Sequence, residues 1–131
     1  MNIVITGAAG FIGSSLSEAL LKQGHKVKGI DCLGQNHNDK IKRANLNKLL
    51  IDPAFQWLNV NLLQADLNEC MEEAEVVFHL AGIAGVRNSW GNSFEDYVNT
   101  NILLTQKILE ACKQAPKLKK LVYASSRLHQ C

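Results

Sequence analysis

Short β-branched runs alternate with stretches of helical periodicity along the whole chain. The runs predict strands at 2–6, 26–31, 55–60, 75–80 and 118–125, and the intervening patterns predict helices at 11–23, 39–50, 66–73 and 94–114. Strands joined by helical crossovers pair in parallel, because right-handed crossovers leave few other topologies. The pattern therefore predicts one α/β domain over residues 1–131, a doubly wound parallel sheet in the order 3-2-1-4-5 with helices on both faces.

Two expectations about burial follow from the same periodicity. His79 lies within the apolar strand at 75–80, and we expect it to be a buried histidine bonded to backbone rather than a catalyst. The long helix at 94–114 is expected to turn seven side chains towards the sheet, namely Val98, Ile102, Leu104, Thr105, Ile108, Leu109 and Cys112.

The sharpest motif is TGAAGFIGSSL, in which Gly7, Gly10 and Gly13 stand between the first strand and the first helix. Gly7 suits a tight turn, Gly10 allows backbone to approach a pyrophosphate, and Gly13 allows the helix to pack close to the strand. The anion is expected to meet free N–H groups near Phe11 and Ile12, at the positive end of the helix. The order strand, glycines, helix predicts a Rossmann-like nucleotide-binding fold.

The second predicted strand ends at Asp31, about 18 positions beyond Gly13. A dinucleotide site places an acid there, where it binds the hydroxyls of the adenosine ribose. Asp31 would repel a ribose 2′-phosphate, and neither Cys32 nor Leu33 supplies an arginine to receive one. The cofactor predicted is therefore NAD; the alternative is an aspartate that only caps the loop after the strand.

Composition excludes several classes of function. The net charge of +2 is too small to suggest nucleic acid or an anionic membrane as a partner. Four scattered cysteines without a Cys-x-x-Cys pair, and a chain start without a leader pattern, predict a reduced, cytoplasmic protein. The four histidines are equally dispersed, so we predict no metal site.

Several blocks together resemble one family, the extended short-chain dehydrogenase/reductases, and within it the NAD-dependent nucleotide-sugar epimerases and dehydratases such as the UDP-glucose and UDP-glucuronate 4-epimerases. The resemblance covers the whole chain. It rests on TGAAGFIGSSL, GIDCL, VVFHLAGIAGVRNSW, YVNTNILLTQKILEAC and LVYASS.

The resemblance implies roles for residues that spacing alone does not assign. Ala81 and Gly82 would line the nicotinamide ribose side of NAD, and Asn101 would orient the region beside the active site. Ser126 would hydrogen-bond a hydroxyl of the substrate sugar. At the end of the third strand the family places an aspartate and an aliphatic residue against the adenine, where this chain has Asn61 and Leu62; the Asn61 carbonyl still offers an acceptor to the adenine amino group.

The family's catalytic base is a tyrosine in a Tyr-x-x-x-Lys helix, about two dozen residues beyond Ser126. Here Tyr97 is followed four positions later by Asn101, and Tyr123 by Arg127, so neither tyrosine forms that pair. The last five residues, RLHQC, replace the family's Val-Tyr-Gly turn in the manner of an early stop or a frame change. We therefore expect a chain without the later strands and the substrate domain, inactive alone.

Three hypotheses about function remain: an epimerase-family protein without its base, a non-catalytic module that binds NAD, and a folded relic without ligand. A nucleotide sugar would bind only with a complementing chain. If the sheet ends at the fifth strand, the bare edge at 121–125 predicts a homodimer, because apolar edges recruit partners. In that dimer either the two edges meet or the tail at 127–131 covers them.

Overall fold

The structure, a computed structural model, describes residues 1–33, 38–81 and 98–124. In that part of the chain one five-stranded sheet has the order β3-β2-β1-β4-β5. Each neighbouring pair of strands is parallel, with β1 between β2 and β4. The predicted fold class and strand order are therefore confirmed.

Most elements begin and end within a few residues of the predicted bounds, and the predicted start of the long helix at 94 lies outside the described residues. Along the chain they are β1 (Asn2–Thr6), α1 (Phe11–Lys22), β2 (Lys26–Asp31), α2 (Asn38–Leu50), β3 (Phe55–Asn59), α3 (Leu67–Met71), β4 (Val76–His79), a π-helical segment (Val98–Leu103), α4 (Leu104–Gln114) and β5 (Lys120–Tyr123).

The core has two halves, one on each face of the sheet, and β1 contributes to both. Val4 packs with Val77 and with Ile108 of α4, whereas Ile3 and Ile5 pack with apolar residues of α2. Successive side chains of a strand point to opposite faces, so a central strand covered by helices on both sides must be apolar at every position. That requirement explains the run IVI in β1.

The predicted inner face of the long helix is partly wrong. Leu104 and Ile108 are buried as expected, but Ile102 is 59% exposed and Leu109 is 47% exposed. The π-helical segment Val98–Leu103 precedes α4. Because a π-turn holds more residues than an α-turn, it rotates the side chains before α4 out of phase with those after it. Within α4 the buried stripe continues to Ala111, which the periodicity did not select, rather than to Leu109.

Candidate functional site

A cleft of about 330 Å³ opens at the carboxyl ends of the strands. It lies where the order of the strands reverses, between β1 and β4, the position at which open parallel sheets bind ligands. Six of the predicted site residues line it: Gly7, Gly10, Asp31, Asn61, Leu62 and Ala81. Six residues that the sequence did not single out as ligand contacts complete the lining: Cys32, Lys42, Val60, Leu63, Leu80 and Leu104.

The turn after β1 depends on glycine at two positions. Gly7 has a φ of 73°, and a Cβ there would lie 2.9 Å from the backbone nitrogen of Ala81. A Cβ on Gly13 would lie 2.1 Å from the carbonyl oxygen of Gly7. The first glycine therefore lets the turn approach the end of β4, and the second brings helix α1 against the turn.

Helix α1 begins beside the cleft with an uncapped end. Gly10 is its N-cap, and no side chain bonds to the first-turn N–H groups there. The side chains of Phe11 and Ile12 point to solvent, with Phe11 82% exposed. Orphan N–H groups and the helix dipole together favour an anion at such an end. An anion would thus meet the backbone N–H groups of Phe11, Ile12 and Gly13 rather than their side chains. These residues do not form the cleft wall itself.

Asp31 is held tightly at the rim of the cleft. One carboxylate oxygen, Oδ2, accepts the Ala9 N–H at 3.0 Å, and the other, Oδ1, accepts the Cys32 N–H at 2.8 Å. Oδ1 also receives the ammonium of Lys42 at 3.1 Å. These bonds tie the end of β2 to the glycine turn and to helix α2, so the carboxylate has one fixed orientation.

The loop after β3 forms the part of the cleft next to Asp31, whose carbonyl accepts the Val60 N–H at 3.0 Å. Leu62 is buried in the core, whereas Asn61 is exposed and its Oδ1 accepts the Leu63 N–H at 3.0 Å. An asparagine that bonds two residues ahead makes an Asx-turn, which fixes the loop. The carbonyl expected to meet an adenine amino group therefore already accepts one bond, and it keeps a second lone pair for a ligand.

Two threonine hydroxyls hold His79, where the sequence predicted backbone partners. The ring is 2% exposed, its Nδ1 lies 2.7 Å from Thr6 Oγ1, and its Nε2 lies 3.4 Å from Thr105 Oγ1. Thr6 Oγ1 already accepts the N–H groups of Leu80 and Ala81, at 3.0 and 3.2 Å. The Thr6 hydroxyl proton must therefore go to Nδ1, which places the ring proton on Nε2 and leaves the histidine neutral. Burial also lowers the pKa of His79, which favours the neutral ring as well.

The bond series continues to Asn101. Thr105 Oγ1, which accepts from His79, donates to the Asn101 carbonyl at 3.0 Å. The series joins the end of β1, the end of β4, the start of α4 and the π-helical segment before it. We name Thr6, His79 and Thr105 the threonine–histidine relay. Asn101 does not line the cleft, but the relay connects its backbone to Ala81, which does.

Gly82 and Ser126 lie outside the described residues, as does Ser125. Lys42 lines the cleft but was not predicted to do so. Its position in the first turns of the helix that follows Asp31 could have indicated it. Leu104 was predicted only as a core residue, and its place as an apolar residue where helix α4 begins is a weaker indication that it lines the cleft.

Another cavity, of about 350 Å³, opens at the opposite, amino end of the sheet. Its lining includes Asn2, Lys26, Lys28 and Cys70, at the starts of β1 and β2 and in helix α3. It has neither a glycine turn nor the start of a long helix. Among the described residues no cluster of histidine, cysteine or acidic side chains fits a metal ion, and no helix is long and apolar enough to cross a membrane.

Comparison with known proteins gives one consistent result. Residues 3–129 match the model of the NAD dependent epimerase/dehydratase family. The chain is 46% identical over 127 residues to an uncharacterized UDP-glucose epimerase of Bacillus subtilis (strain 168), and this match covers 96% of the chain and 40% of that protein. It is 36% identical to a UDP-glucuronate 4-epimerase of Thermodesulfobacterium geofontis, covering 94% of the chain and 38% of that protein.

Solved structures agree in fold. The UDP-glucuronic acid 4-epimerase of Bacillus cereus, in complex with UDP-glucuronic acid and NAD, superposes with a TM-score of 0.88 at 40% identity. That match covers 99% of this chain and 44% of the other. The chain thus spans about two fifths of the length of the two relatives from Bacillus subtilis and Thermodesulfobacterium geofontis.

Proposed function

Because the chain belongs to the NAD dependent epimerase/dehydratase family, we propose that its 131 residues are the NAD-binding part of a nucleotide-sugar epimerase or dehydratase. The cleft at the carboxyl ends of the strands is the proposed cofactor site. Gly7, Gly10 and the first turn of α1 would hold the pyrophosphate, and Asp31 would hold the adenosine ribose. When bound there, NAD supplies a hydride acceptor.

The observation that carries this proposal is the geometry of Asp31 against the glycine turn. The carboxylate accepts the Ala9 N–H, so the acid and the pyrophosphate-binding turn form one rigid unit. A ribose whose hydroxyls donate to Asp31 then has its phosphate directed towards the start of α1. On the adenine side, Asn61 and Leu62 supply an acceptor and an apolar surface.

The same proposal predicts an incomplete active site in this chain by itself. No Tyr-x-x-x-Lys pair occurs in the printed sequence, so no phenol with a neighbouring lysine is present to remove a proton from a sugar hydroxyl. Loss of a positioned general base costs about 10²- to 10⁴-fold in rate. We therefore propose that a nucleotide sugar is bound and converted only when further polypeptide supplies these groups. Turnover of UDP-glucose or UDP-glucuronate by the pure chain would contradict this.

Calorimetric titration with NAD tests the cofactor site. We expect saturable binding that weakens at least about tenfold in Asp31→Ala, since hydrogen bonds to a charged group contribute about 1.5–3 kcal/mol. Asp52→Ala is the matched control: Asp52 also accepts a backbone N–H, from Ala54 at 2.9 Å, but it lies in the loop before β3 at the other end of the sheet. No heat at millimolar NAD, or equal loss in both variants, would refute the proposed site.

We further propose a homodimer through β5, together with a cytoplasmic location. In the described residues β5 pairs only with β4, and Tyr123 at its end is 53% exposed. Cys32, Cys70 and Cys112 are free thiols, as a reducing compartment requires. A monomeric mass by light scattering at micromolar concentration, with fast amide exchange along β5, would count against the dimer.

A further inference from the structure

Helix α2 brings a cation to the acid that would select the cofactor. Lys42 extends its ammonium to within 3.1 Å of Asp31 Oδ1, and its side chain is 31% exposed while that of Asp31 is 11% exposed. Both residues line the cleft. The pair therefore stands at the rim, partly withdrawn from solvent, where an adenosine ribose would enter.

The pair changes the charge that a ribose 2′-substituent would meet. Asp31 alone presents a carboxylate that repels a phosphate. Lys42 neutralises that charge and adds an ammonium that can leave the carboxylate for a phosphate oxygen without moving the backbone, because lysine has a flexible stem. Asp31 would stay in place through its bonds to the Ala9 and Cys32 N–H groups.

We propose that Lys42 sets the preference between NAD and NADP, and that it makes the ribose end of the cleft permissive for a 2′-phosphate. This inference rests on the proposed cofactor site and adds a ligand to it. The chain should bind NADP measurably, with Lys42 as the residue that receives the phosphate, whereas Asp31 without Lys42 would exclude it.

The experiment compares the dissociation constants for NAD and NADP in one set of variants. Lys42→Gln should raise the ratio of the NADP constant to the NAD constant about tenfold, because one close attraction between opposite charges is lost. Lys42→Arg should keep the ratio near that of the unchanged chain. Lys48→Gln is the matched control, since Lys48 lies on the same helix, pairs with Glu18 at 3.4 Å and does not line the cleft.

Ionic strength gives an independent readout that a merely structural role would not move. NADP binding should weaken with added salt more steeply in the unchanged chain than in Lys42→Gln, because an ammonium–phosphate attraction is screened. If Lys42→Gln weakens NAD and NADP by the same factor, or leaves the ratio and the salt dependence unchanged, the inference about Lys42 is overturned while the NAD site stands. If neither dinucleotide binds the unchanged chain, both the proposed function and this inference are overturned.

Discussion

Replacing Gly13 by alanine adds a single methyl group where α1 meets the glycine turn. The new Cβ would lie 2.1 Å from the Gly7 carbonyl oxygen and 2.9 Å from the Ala8 Cα. Ordinary contacts of a Cβ begin near 3.4 Å, so α1 and the turn must separate by about 1 Å. The atoms in the way are backbone, so no side chain can rotate aside. Such overpacking costs about 1–3 kcal/mol, and alanine's better helix propensity offsets up to about 1 kcal/mol.

The net expectation for Gly13→Ala is a loss of about 1–2 kcal/mol in the free energy of unfolding, together with a large loss of NAD affinity because the turn opens. Urea denaturation measures the first and calorimetry the second. Gly24→Ala is the control: Gly24 has a φ of 89° with nothing within 4 Å of an added Cβ. It should cost about 1 kcal/mol through backbone strain alone and leave NAD binding intact. Gly13→Ala with unchanged NAD affinity would refute the reasoning.

Two further predictions concern titrating groups. Burial lowers the pKa of His79 below the ordinary histidine value of about 6.5. The unfolded chain therefore takes up a proton at a pH where the folded chain does not, so the free energy of unfolding should fall as the pH drops below about 6.5 and recover above it. His79→Gln should flatten the pH dependence of the urea midpoint; an unchanged dependence would show that another group titrates. Cys32 is exposed and lines the cleft, whereas burial raises the pKa of the Cys70 and Cys112 thiols. A thiol reagent monitored by mass spectrometry should therefore modify Cys32 before Cys70 and Cys112, and NAD should slow the reaction of Cys32; equal rates with and without NAD would contradict the proposed cleft.

The sequence predicted the frame of the fold because that frame depends on local periodicity. The apolar run of β1, the glycine spacing and the position of Asp31 at the end of β2 are all visible within about thirty residues of chain. The strand order followed from the alternation of strands and helices, since crossover handedness restricts the topology.

What the sequence could not supply depends on how separate elements meet. Lys42 contacts Asp31 only because α2 packs beside the end of β2, and Thr105 reaches His79 only because α4 crosses β4. Ile102 was predicted to be buried because helical periodicity assumes one residue spacing throughout. The π-helical segment changes that spacing, and the local pattern of apolar and polar residues does not predict it.

The threonine–histidine relay also limits which substitutions its three positions can tolerate during evolution. Its proton order is fixed from one end to the other, so each member needs the hydroxyl or ring nitrogen of the next. Valine in place of Thr6 or Thr105 would leave a ring nitrogen of buried His79 without its hydrogen-bond partner, whereas serine would keep the hydroxyl. Substitutions within one hydrogen-bond network show coupling energies of about 0.5–3 kcal/mol. We therefore expect coupled substitutions in the relay among descendants of this chain. Threonine and serine should exchange without a second change, whereas loss of the histidine should be followed by replacement of a neighbouring hydroxyl residue.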